Sequence, residues 1–413
     1  MKYSMIVIGD ELLIGQVTDT NSGWIARQFA PYGWEPHYVK VIADDAYEIT
    51  RAIDEAFAVA DVVLTTGGLG PTKDDITKTT MCEYFGGTLV YDEKTAANVL
   101  EVVRRRGIQL NEYTRLQAMV PSSCRVIQNK VGTAPSMCFE RDGKVMVAMP
   151  GVPHETCTMM SSEVMPQLLK RFEGDFHIDH RTLVVYGITE SALAMKLDDF
   201  EKNLPLFLHL AYLPNEGVIR LRLDGKHTDA TLLKEAMDAA LASLHSQLGD
   251  LIIADGDLPL AAILGSRLRQ LGLTMASAES CTGGNIAHEI TRIAGSSDYF
   301  TGSVICYNTK VKINQLKVTQ EAVDNYTVVS QPVVEQMCQG VCDLLGCDCS
   351  VATSGIAGPG GGTPDTPVGT VWMAAKVGPR IVSQVKRFPG DRDRVINRAT
   401  TAALHLLLSI LPR

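Results

Sequence analysis

Residues 278–284, with the sequence AESCTGG, form a run of small residues between a strand-like and a helix-like segment. The residues before it, 273–276, are apolar as in a short strand. Those after it, 286–293, repeat apolar side chains at helical spacing. A strand, a glycine turn and a helix in this order place the hydroxyl of Ser280 near a helix N-terminus. Backbone N–H groups and the helix dipole favour developing negative charge there.

A candidate base for this serine lies further along the chain. Serine is a poor nucleophile unless a base removes its proton. The segment YNTKVK, residues 307–312, offers Lys312. A second glycine-rich segment, SGIAGPGGGT at 354–363, follows a strand-like run and is followed by PVGT at 367–370. The chain therefore carries a potential nucleophile, a potential base and a loop that could bind phosphate.

These four segments resemble the motifs of the C-terminal amidohydrolase domain of the competence/damage-inducible CinA family, in the same order and at fitting separations. In that family the domain deamidates nicotinamide mononucleotide. The resemblance implies that Ser280 is the acyl-forming nucleophile and Lys312 its base, with Tyr307 as a further catalytic residue and no cofactor. N–H groups near 281–283 would hold the oxyanion. The predicted substrate-binding residues are Cys281, Thr282, Gly283, Gly284, Ser354, Gly355, Gly358, Gly360, Gly361, Arg392 and Arg394.

Each of these residues also has a structural interpretation. Ser280 could simply cap the helix that follows. Cys281 is a rival nucleophile, but a catalytic thiol normally needs a cationic partner, so packing is the favoured interpretation. Lys312 acts as a base only if burial or a nearby cation removes its proton near neutral pH. For Arg392 and Arg394 phosphate binding and solvated charge are weighted equally.

Length and composition bound the class of protein. The chain has 413 residues, which predicts two or three domains, and its formal net charge of −9 argues against a broad nucleic-acid surface. No apolar run approaches the roughly 20 residues of a membrane helix. The first segment is interpreted as a strand rather than a signal peptide, so we expect a cytoplasmic protein.

The ten cysteines are scattered, with no C-x-x-C pair. Cys338, Cys342, Cys347 and Cys349 cluster loosely, and the first two belong to a predicted helix. Zinc would require tighter paired spacing, so a core face of reduced thiols is predicted.

The pattern along the chain predicts two α/β domains with mainly parallel sheets, joined by a small α+β module. Residues 6–8, 38–42 and 62–66 are strand-like, and 45–59 form a helix after Asp44 or Asp45 as a cap. In the middle, 182–186 and 218–223 alternate like antiparallel strands beside helices at 191–201 and 230–247. Residues 249–259 are interpreted as a linker, and a last helix covers 392–408. The predicted domains are 1–170, 175–252 and 256–413.

The N-terminal half carries two glycine-containing segments directly after strands, at 9–15 and 65–75. Glycines at strand ends let a diphosphate approach backbone N–H groups closely. Carboxylates on the same loops could hold a divalent cation against it. The candidate metal ligands are Asp10, Glu11, Asp74 and Asp75. The alternative is that the two aspartates of the second segment cap the helix that Ile76 begins.

This half resembles the molybdopterin-binding-like domain of CinA proteins, which is associated with metal-dependent hydrolysis of ADP-ribose at its pyrophosphate. The middle module resembles their KH-type domain but lacks the G-x-x-G clamp for RNA, so a spacer or dimer element is predicted. The predicted N-terminal binding residues are Gly9, Gly67, Gly68, Gly70, Asn111, Gln117, Gly132, Thr133, Pro150, Gly151 and Glu155.

The combined prediction is a homodimeric, bifunctional hydrolase of pyridine-nucleotide salvage that acts on nicotinamide mononucleotide and ADP-ribose. Two alternatives stay open. The N-terminal domain could bind molybdopterin or a nucleotide without turnover. The protein could instead assist DNA uptake or recombination, which its acidic charge disfavours.

Overall fold

The computed structural model describes residues 1–72, 74–172, 174, 176–215 and 217–412. The chain divides into two compact units. One comprises Met1–Asp179 with Lys226–Leu233, and the other comprises His180–Gly225 with Lys234–Arg413.

The strands are β1 (Lys2–Ile8), β2 (Glu35–Ile42), β3 (Val62–Thr66), β4 (Leu89–Tyr91), β5 (Met119–Pro121), β6 (Arg125–Ile127), β7 (Ser136–Arg141), β8 (Lys144–Met149), β9 (His177–Tyr186), β10 (Leu208–Asn215), β11 (Val218–His227), β12 (Ile252–Asp255), β13 (Met275–Glu279), β14 (Phe300–Ile305), β15 (Cys349–Gly355), β16 (Thr370–Val377) and β17 (Arg380–Arg387).

The α-helices are α1 (Asp10–Leu13), α2 (Asn21–Phe29), α3 (Ala46–Val59), α4 (Thr77–Tyr84), α5 (Glu93–Arg105), α6 (Glu112–Arg115), α7 (Pro153–Met159), α8 (Met165–Arg171), α9 (Glu190–Lys202), α10 (Ala230–Leu248), α11 (Leu260–Leu271), α12 (Asn285–Thr291), α13 (Thr309–Leu316), α14 (Gln320–Tyr326), α15 (Gln331–Leu345) and α16 (Arg392–Ile410).

The first unit is built on a sheet with the order β2-β1-β3-β8-β7-β6. Pairs β1/β2, β1/β3 and β3/β8 are parallel, while β8/β7 and β7/β6 are antiparallel. Successive side chains of a strand point to opposite faces. Tyr3 and Met5 accordingly enter one core with residues of α2 and α8, while Ile6 and Ile8 enter a second core with residues of α3. Burial on both faces explains the nearly continuous apolar strands.

The C-terminal sheet has the order β14-β13-β15-β16-β17. Strands β14, β13 and β15 run parallel, and β16 and β17 add an antiparallel edge. Residues of α11, α12 and α16 fill the core on one face, and residues of α15 fill the core on the other. The predicted α/β class is confirmed. In both sheets the parallel strands are continued by an antiparallel edge, which the sequence analysis did not resolve.

The middle segment forms a sheet with the order β10-β11-β9-β12, accompanied by α9 and α10. The interpretation of residues 249–259 as a linker is wrong in part. Strand β12 lies within that range and pairs antiparallel with β9, with Ile252 opposite Val185. Its four residues are flanked by glycine, aspartate and proline, and this composition hid a short edge strand.

No helix in the described ranges combines the length and apolar composition needed to cross a membrane.

The parallel strands β13, β14 and β15 end at the same edge of their sheet. The loops that follow them start at Ser280, Cys306 and Ile356. Because ligands of α/β sheets bind outside the carboxyl ends of the strands, this edge is where the predicted C-terminal site should lie.

Candidate active sites

Ser280 and Lys312 form a hydrogen-bonded pair at this edge. The Lys312 Nζ lies 2.9 Å from Ser280 Oγ and 2.7 Å from the carbonyl oxygen of Cys306. Ser280 directly follows β13, and Lys312 lies on α13, whose first turn is capped by the side chain of Asn308. Lys312 is only 2% exposed. The two residues that the sequence proposed as nucleophile and base are therefore in contact, 32 positions apart.

Burial lowers the pKa of the Lys312 amine below its ordinary value of 10.5. The thiols of Cys306 and Cys281 oppose this shift only in part. Among the described side chains, no carboxylate forms an ion pair with Lys312 that would keep the ammonium form. Desolvation without a counter-ion favours a neutral amine. This is the protonation state in which Lys312 can accept the proton of Ser280.

Glu279, the residue before the serine, organises the loop and was missed by the sequence analysis. Its side chain is fully buried. Its carboxylate oxygens lie 2.8–3.3 Å from six donors. These donors are the hydroxyls of Ser277, Thr282 and Ser303 and the backbone N–H groups of Gly284, Ile286 and Ala287. A carboxylate thus satisfies the N-terminus of α12, as expected from the helix dipole. The signal was an acid among small residues just before a helix.

Ser280 itself does not cap the helix. The N-cap position of α12 is Gly284, without a side-chain cap bond, and Glu279 supplies the acceptors instead. The expected strand at 273–276 is also displaced, since β13 extends to Glu279. The serine hydroxyl is therefore free to face Lys312.

Two backbone N–H groups remain for an oxyanion. Gly283 N–H donates to the carbonyl of Ser280 and Gly284 N–H donates to Glu279, so neither is free. For the N–H groups of Cys281 and Thr282, the structure shows no acceptor within its described residues. Of the predicted oxyanion donors at 281–283, the N–H groups of Cys281 and Thr282 therefore remain as candidates. Unpaired N–H groups next to a serine hydroxyl are one requirement of an acyl-transfer site.

The structure places Cys281 as a packing residue. It is 5% exposed and belongs to the hydrophobic core under α12. Burial raises the pKa of its thiol to about 12. A protonated, buried thiol is a poor nucleophile, which favours Ser280.

Tyr307 does not reach the dyad with its phenol. The side chain is 61% exposed, and its hydroxyl accepts a hydrogen bond from Arg392 at 2.9 Å. Its carbonyl oxygen lies 3.5 Å from Lys312 Nζ. Arg392 also donates to the carbonyl of Gly358 at 2.5 Å, which ties the glycine-rich loop to Tyr307. Tyr307 is thus placed at the rim of the site rather than among the reacting groups.

Arg394 is not brought to the site. Its guanidinium lies 3.9 Å from Asp391, and two thirds of its side chain is exposed. Of the two arginines that were weighted equally, only Arg392 contacts site residues.

The second glycine-rich segment is mainly a close-packed framework. Ser354 donates its hydroxyl to the carbonyl of Val328 at 2.6 Å and is 1% exposed. A Cβ at Gly355 would lie 2.7 Å from the carbonyl oxygen of Thr370, so that position requires glycine. Gly358 and Gly361 both have a φ of 87°, in the left-handed region. Gly360 faces open space, where a ligand could approach.

The N-terminal unit contains a cavity of about 520 Å³ at the ends of β1, β3 and β8. Most of the predicted residues line it. They are Gly9, Glu11, Gly67, Gly68, Gly70, Asp74, Asp75, Gln117, Thr133, Pro150, Gly151 and Glu155. Asp10, Asn111 and Gly132 are not part of the lining. The two glycine-containing loops, at 9–15 and 65–75, therefore both contribute to one pocket at the ends of parallel strands.

Several carboxylates line this cavity. Asp44, which the sequence analysis considered only as a helix cap, lines it, whereas Asp45 caps α3. Burial raises the pKa of Asp44, and the charges of Asp10, Glu11 and Asp75 raise it further. A concentration of negative charge at a partly buried carboxyl is a frequent mark of a functional site.

Asp75 has a structural role as well. Its carboxylate accepts from the N–H groups of Gly70 at 2.8 Å and Thr72 at 2.9 Å, and so braces the loop. It does not cap α4, whose N-cap Ile76 has no side-chain cap bond. Thr72 lowers the pKa of the fully exposed Asp74 by hydrogen bonding.

A divalent cation fits this cavity only as an ion shared with a ligand. No three Asp, Glu, His or Cys side chains are arranged as a ligand set among the residues described. Mg²⁺ is commonly held by one or two carboxylates plus substrate phosphates rather than by an all-protein cage. Asp44 with its acidic neighbours meets that description.

Three further predicted residues have distinct positions. Gln117 is fully buried and donates to the carbonyl of Leu69 at 3.1 Å, while its Oε1 has no partner among the described residues. A Cβ at Gly132 would lie 2.1 Å from the carboxyl carbon of Glu155, so this glycine makes room for that side chain. Asn111 caps α6 and does not line the cavity. An asparagine before a short helix is a common cap.

Comparison with known proteins gives matches along nearly the whole chain. A family model for the CinA C-terminal domain matches residues 257–411, and one for a probable molybdopterin binding domain matches 4–170. The damage-inducible protein CinA KH domain matches 180–254.

Curated relatives match over their full length. A CinA-like protein from Flavobacterium psychrophilum is 40% identical over 412 residues, which cover 98% of both chains. A CinA-like protein from Salinibacter ruber is 39% identical over 410 residues, again 98% of both. The crystal structure of CinA from Thermoplasma acidophilum is 33% identical and covers 40% of this chain and 96% of its own, with a TM-score of 0.37. From the family models and the curated relatives we conclude that this chain belongs to the CinA family.

Proposed function

We propose that the C-terminal site hydrolyses the carboxamide of nicotinamide mononucleotide to the acid and ammonia. The supporting observation is the 2.9 Å contact between Ser280 Oγ and the buried Lys312 Nζ. Neutral Lys312 takes the hydroxyl proton as Ser280 attacks the amide carbon. The N–H groups of Cys281 and Thr282 hold the oxyanion. Lys312 then returns the proton to the departing ammonia, and water hydrolyses the acyl-enzyme.

The nucleotide as substrate is supported by the family resemblance together with Arg392. This guanidinium stands between Tyr307 and the carbonyl of Gly358, next to the glycine-rich loop. A cation beside a glycine-rich loop suits a phosphate. The test is ammonia release from nicotinamide mononucleotide, compared with nicotinamide riboside and nicotinamide. We expect turnover of the mononucleotide and much less of the two compounds without phosphate. Equal turnover of all three would contradict phosphate recognition.

For the N-terminal cavity we propose metal-dependent hydrolysis of ADP-ribose at its diphosphate. The specific observation is that Asp44, Glu11 and Asp75 surround a glycine-lined pocket. When bound, a divalent cation would neutralise charge on the diphosphate oxygens. The chain's own contribution is to hold that ion with its carboxylates and to bind the phosphates with backbone N–H groups that remain available in the loop after β3, such as that of Gly68, for which the described residues supply no acceptor.

Chelation separates the two proposed activities. We expect EDTA to abolish ADP-ribose hydrolysis and to leave ammonia release unchanged, because the Ser280 site holds its proton relay in side chains alone. Asp44→Asn, which keeps the shape and removes the charge, should have the same effect as the chelator. The matched control is Asp45→Asn, since asparagine also caps helices and Asp45 accepts only the N–H groups of α3. Loss of both activities on chelation, or hydrolysis that survives it, would contradict two independent sites.

Two alternatives give different results in the same assays. A module that binds molybdopterin or a nucleotide without turnover would bind ADP-ribose and release no phosphate with any metal, even with a phosphatase added. A DNA-uptake or recombination accessory would bind DNA in a salt-dependent way. The net charge of −9 disfavours that outcome.

Glu279→Gln tests how the serine loop is held. An amide in place of the carboxylate loses charge-assisted bonds to buried N–H groups and sets donor against donor. We expect a loss of about 2–4 kcal/mol in the free energy of unfolding, measured by urea titration. We also expect kcat for the mononucleotide to fall more than KM rises. The control is Glu289→Gln. It removes a partly exposed carboxylate of α12 that pairs with Arg292, and should change the free energy of unfolding by less than about 0.5 kcal/mol. Equal effects of both variants would show that Glu279 has no special role.

A further inference from the structure

The C-terminal end of α15 brings two cysteines together. Gly346, with a φ of 62°, ends the helix. The N–H groups of Gly346 and Cys347 both donate to the carbonyl of Cys342, at 2.8 and 3.3 Å. A helix end closed in this way brings the side chain of Cys342, in the last turn of α15, against that of Cys347, the residue after Gly346. Here both side chains are thiols, and their Sγ atoms are 3.7 Å apart.

The surroundings of Cys342 differ from those of the other cysteines. Of the ten, all of which the structure describes, only Cys342 has a pKa lowered from its ordinary value. The main cause is the hydrogen bond from the Cys347 thiol, and the Ser350 hydroxyl and the Lys376 ammonium add to it. Burial and the charge of Asp343 oppose the shift. Burial raises the pKa of the eight cysteines outside this pair.

Access to the pair is limited but real. Cys342 is 4% exposed, and Cys347 is partly buried at the protein surface. With so little exposed surface, the pair favours a small oxidant over a bulky one such as a disulfide carried by another protein.

We propose that Cys342 and Cys347 are a modification site at which peroxide closes a reversible intramolecular disulfide. The thiolate of Cys342 attacks hydrogen peroxide, which breaks the O–O bond and leaves a sulfenic acid and hydroxide. The Cys347 sulfur then attacks the sulfenic sulfur, its proton combines with the departing hydroxide, and water leaves. The two thiols lose two electrons in total, and one peroxide is reduced to two waters once the hydroxide is protonated.

The site is separate from the Ser280 dyad. Cys349, just after the pair, begins β15 and is paired with Met275 at the start of β13. Ser280 follows the other end of β13. The pair thus lies at the opposite edge of the sheet from the catalytic loop, and its oxidation can be tested whether or not the proposed deamidation is correct.

The experiment treats the intact protein with hydrogen peroxide, blocks the remaining thiols with iodoacetamide and digests with a protease that cleaves before aspartate. Cleavage before Asp343 and Asp348 puts Cys342 and Cys347 in different peptides, so a disulfide appears as a linked pair. We expect this linked pair to be the main oxidation product and dithiothreitol to remove it. Fragmentation distinguishes a link to Cys342 from one to Cys338.

Variants identify the role of each thiol. Cys347→Ser should prevent the link and let Cys342 proceed to sulfinic acid, because no second thiol traps the sulfenic acid. Cys342→Ser should leave Cys347 mostly unoxidised. Cys157→Ser, at a partly buried thiol of the other unit, should leave the link unchanged. Circular dichroism confirms that each variant is folded. If wild-type Cys342 is alkylated in full after peroxide, or oxidises to sulfinic acid without a link, the pair is only a packing contact of the helix end and the proposal is wrong.

Discussion

Ser280→Ala is expected to lower kcat for ammonia release from nicotinamide mononucleotide on the order of 10⁴-fold or more, the scale seen when an attacking serine is deleted. The reason is that the hydroxyl is the only nucleophile held against Lys312 among the described residues of the loop. The substitution removes one oxygen from a side chain that is 9% exposed, and leaves Glu279 and its six contacts in place. The thermal unfolding midpoint and ADP-ribose hydrolysis should therefore stay close to those of the wild type.

Cys281→Ala is the matched control, one residue along the same loop. Its thiol is buried and has a pKa near 12, so it is protonated at neutral pH and contributes packing. We expect a loss of stability of about 1 kcal/mol, as for other small core truncations, and a modest change in kcat. If Ser280→Ala kept near-wild-type deamidation while Cys281→Ala abolished it in a folded protein, the nucleophile would be the thiol.

The sequence was sufficient to identify the loop of Ser280 and its contact Lys312, because the signals there are local. A small-residue turn between an apolar strand and a helix is visible in residues 273–293, and the motif order supplied Lys312. What it could not supply is burial. Lys312 is 2% exposed because of the tertiary packing around α13, and a local sequence pattern does not encode such packing. The pKa of its amine depends on this burial.

The less successful predictions share a cause. Asn111 and Tyr307 have the right residue type in a family-like position, yet one caps a short helix and the other bonds to Arg392 at the rim. Asp44 was not predicted as a cavity residue, because a carboxylate just before a helix is already explained locally as an N-cap. Its place in the cavity depends on strand β2 lying beside β1, which is a long-range pairing.

Lys312→Met is expected to reduce kcat for deamidation by on the order of 10²-fold or more, the scale of lost general-base catalysis. Methionine keeps much of the aliphatic bulk of the buried side chain and deletes the amine that contacts Ser280 Oγ. The nearby control is Lys310→Met, at an exposed position of the same helix, where we expect almost no change. Similar losses in both variants would mean that positive charge near the site, rather than proton transfer, is what catalysis needs.

The pH profile distinguishes a base from a structural lysine. Burial lowers the pKa of Lys312 below 10.5, and only the neutral amine can take the proton of Ser280. The wild-type kcat should therefore rise with pH through that lowered pKa and fall on the acid side, where the amine is charged. The residual activity of Lys312→Met should lack this limb, because the titrating group is gone. A wild-type profile whose acid limb survives unchanged in Lys312→Met would assign the titration to another group, and would leave Lys312 as a residue that only positions the serine.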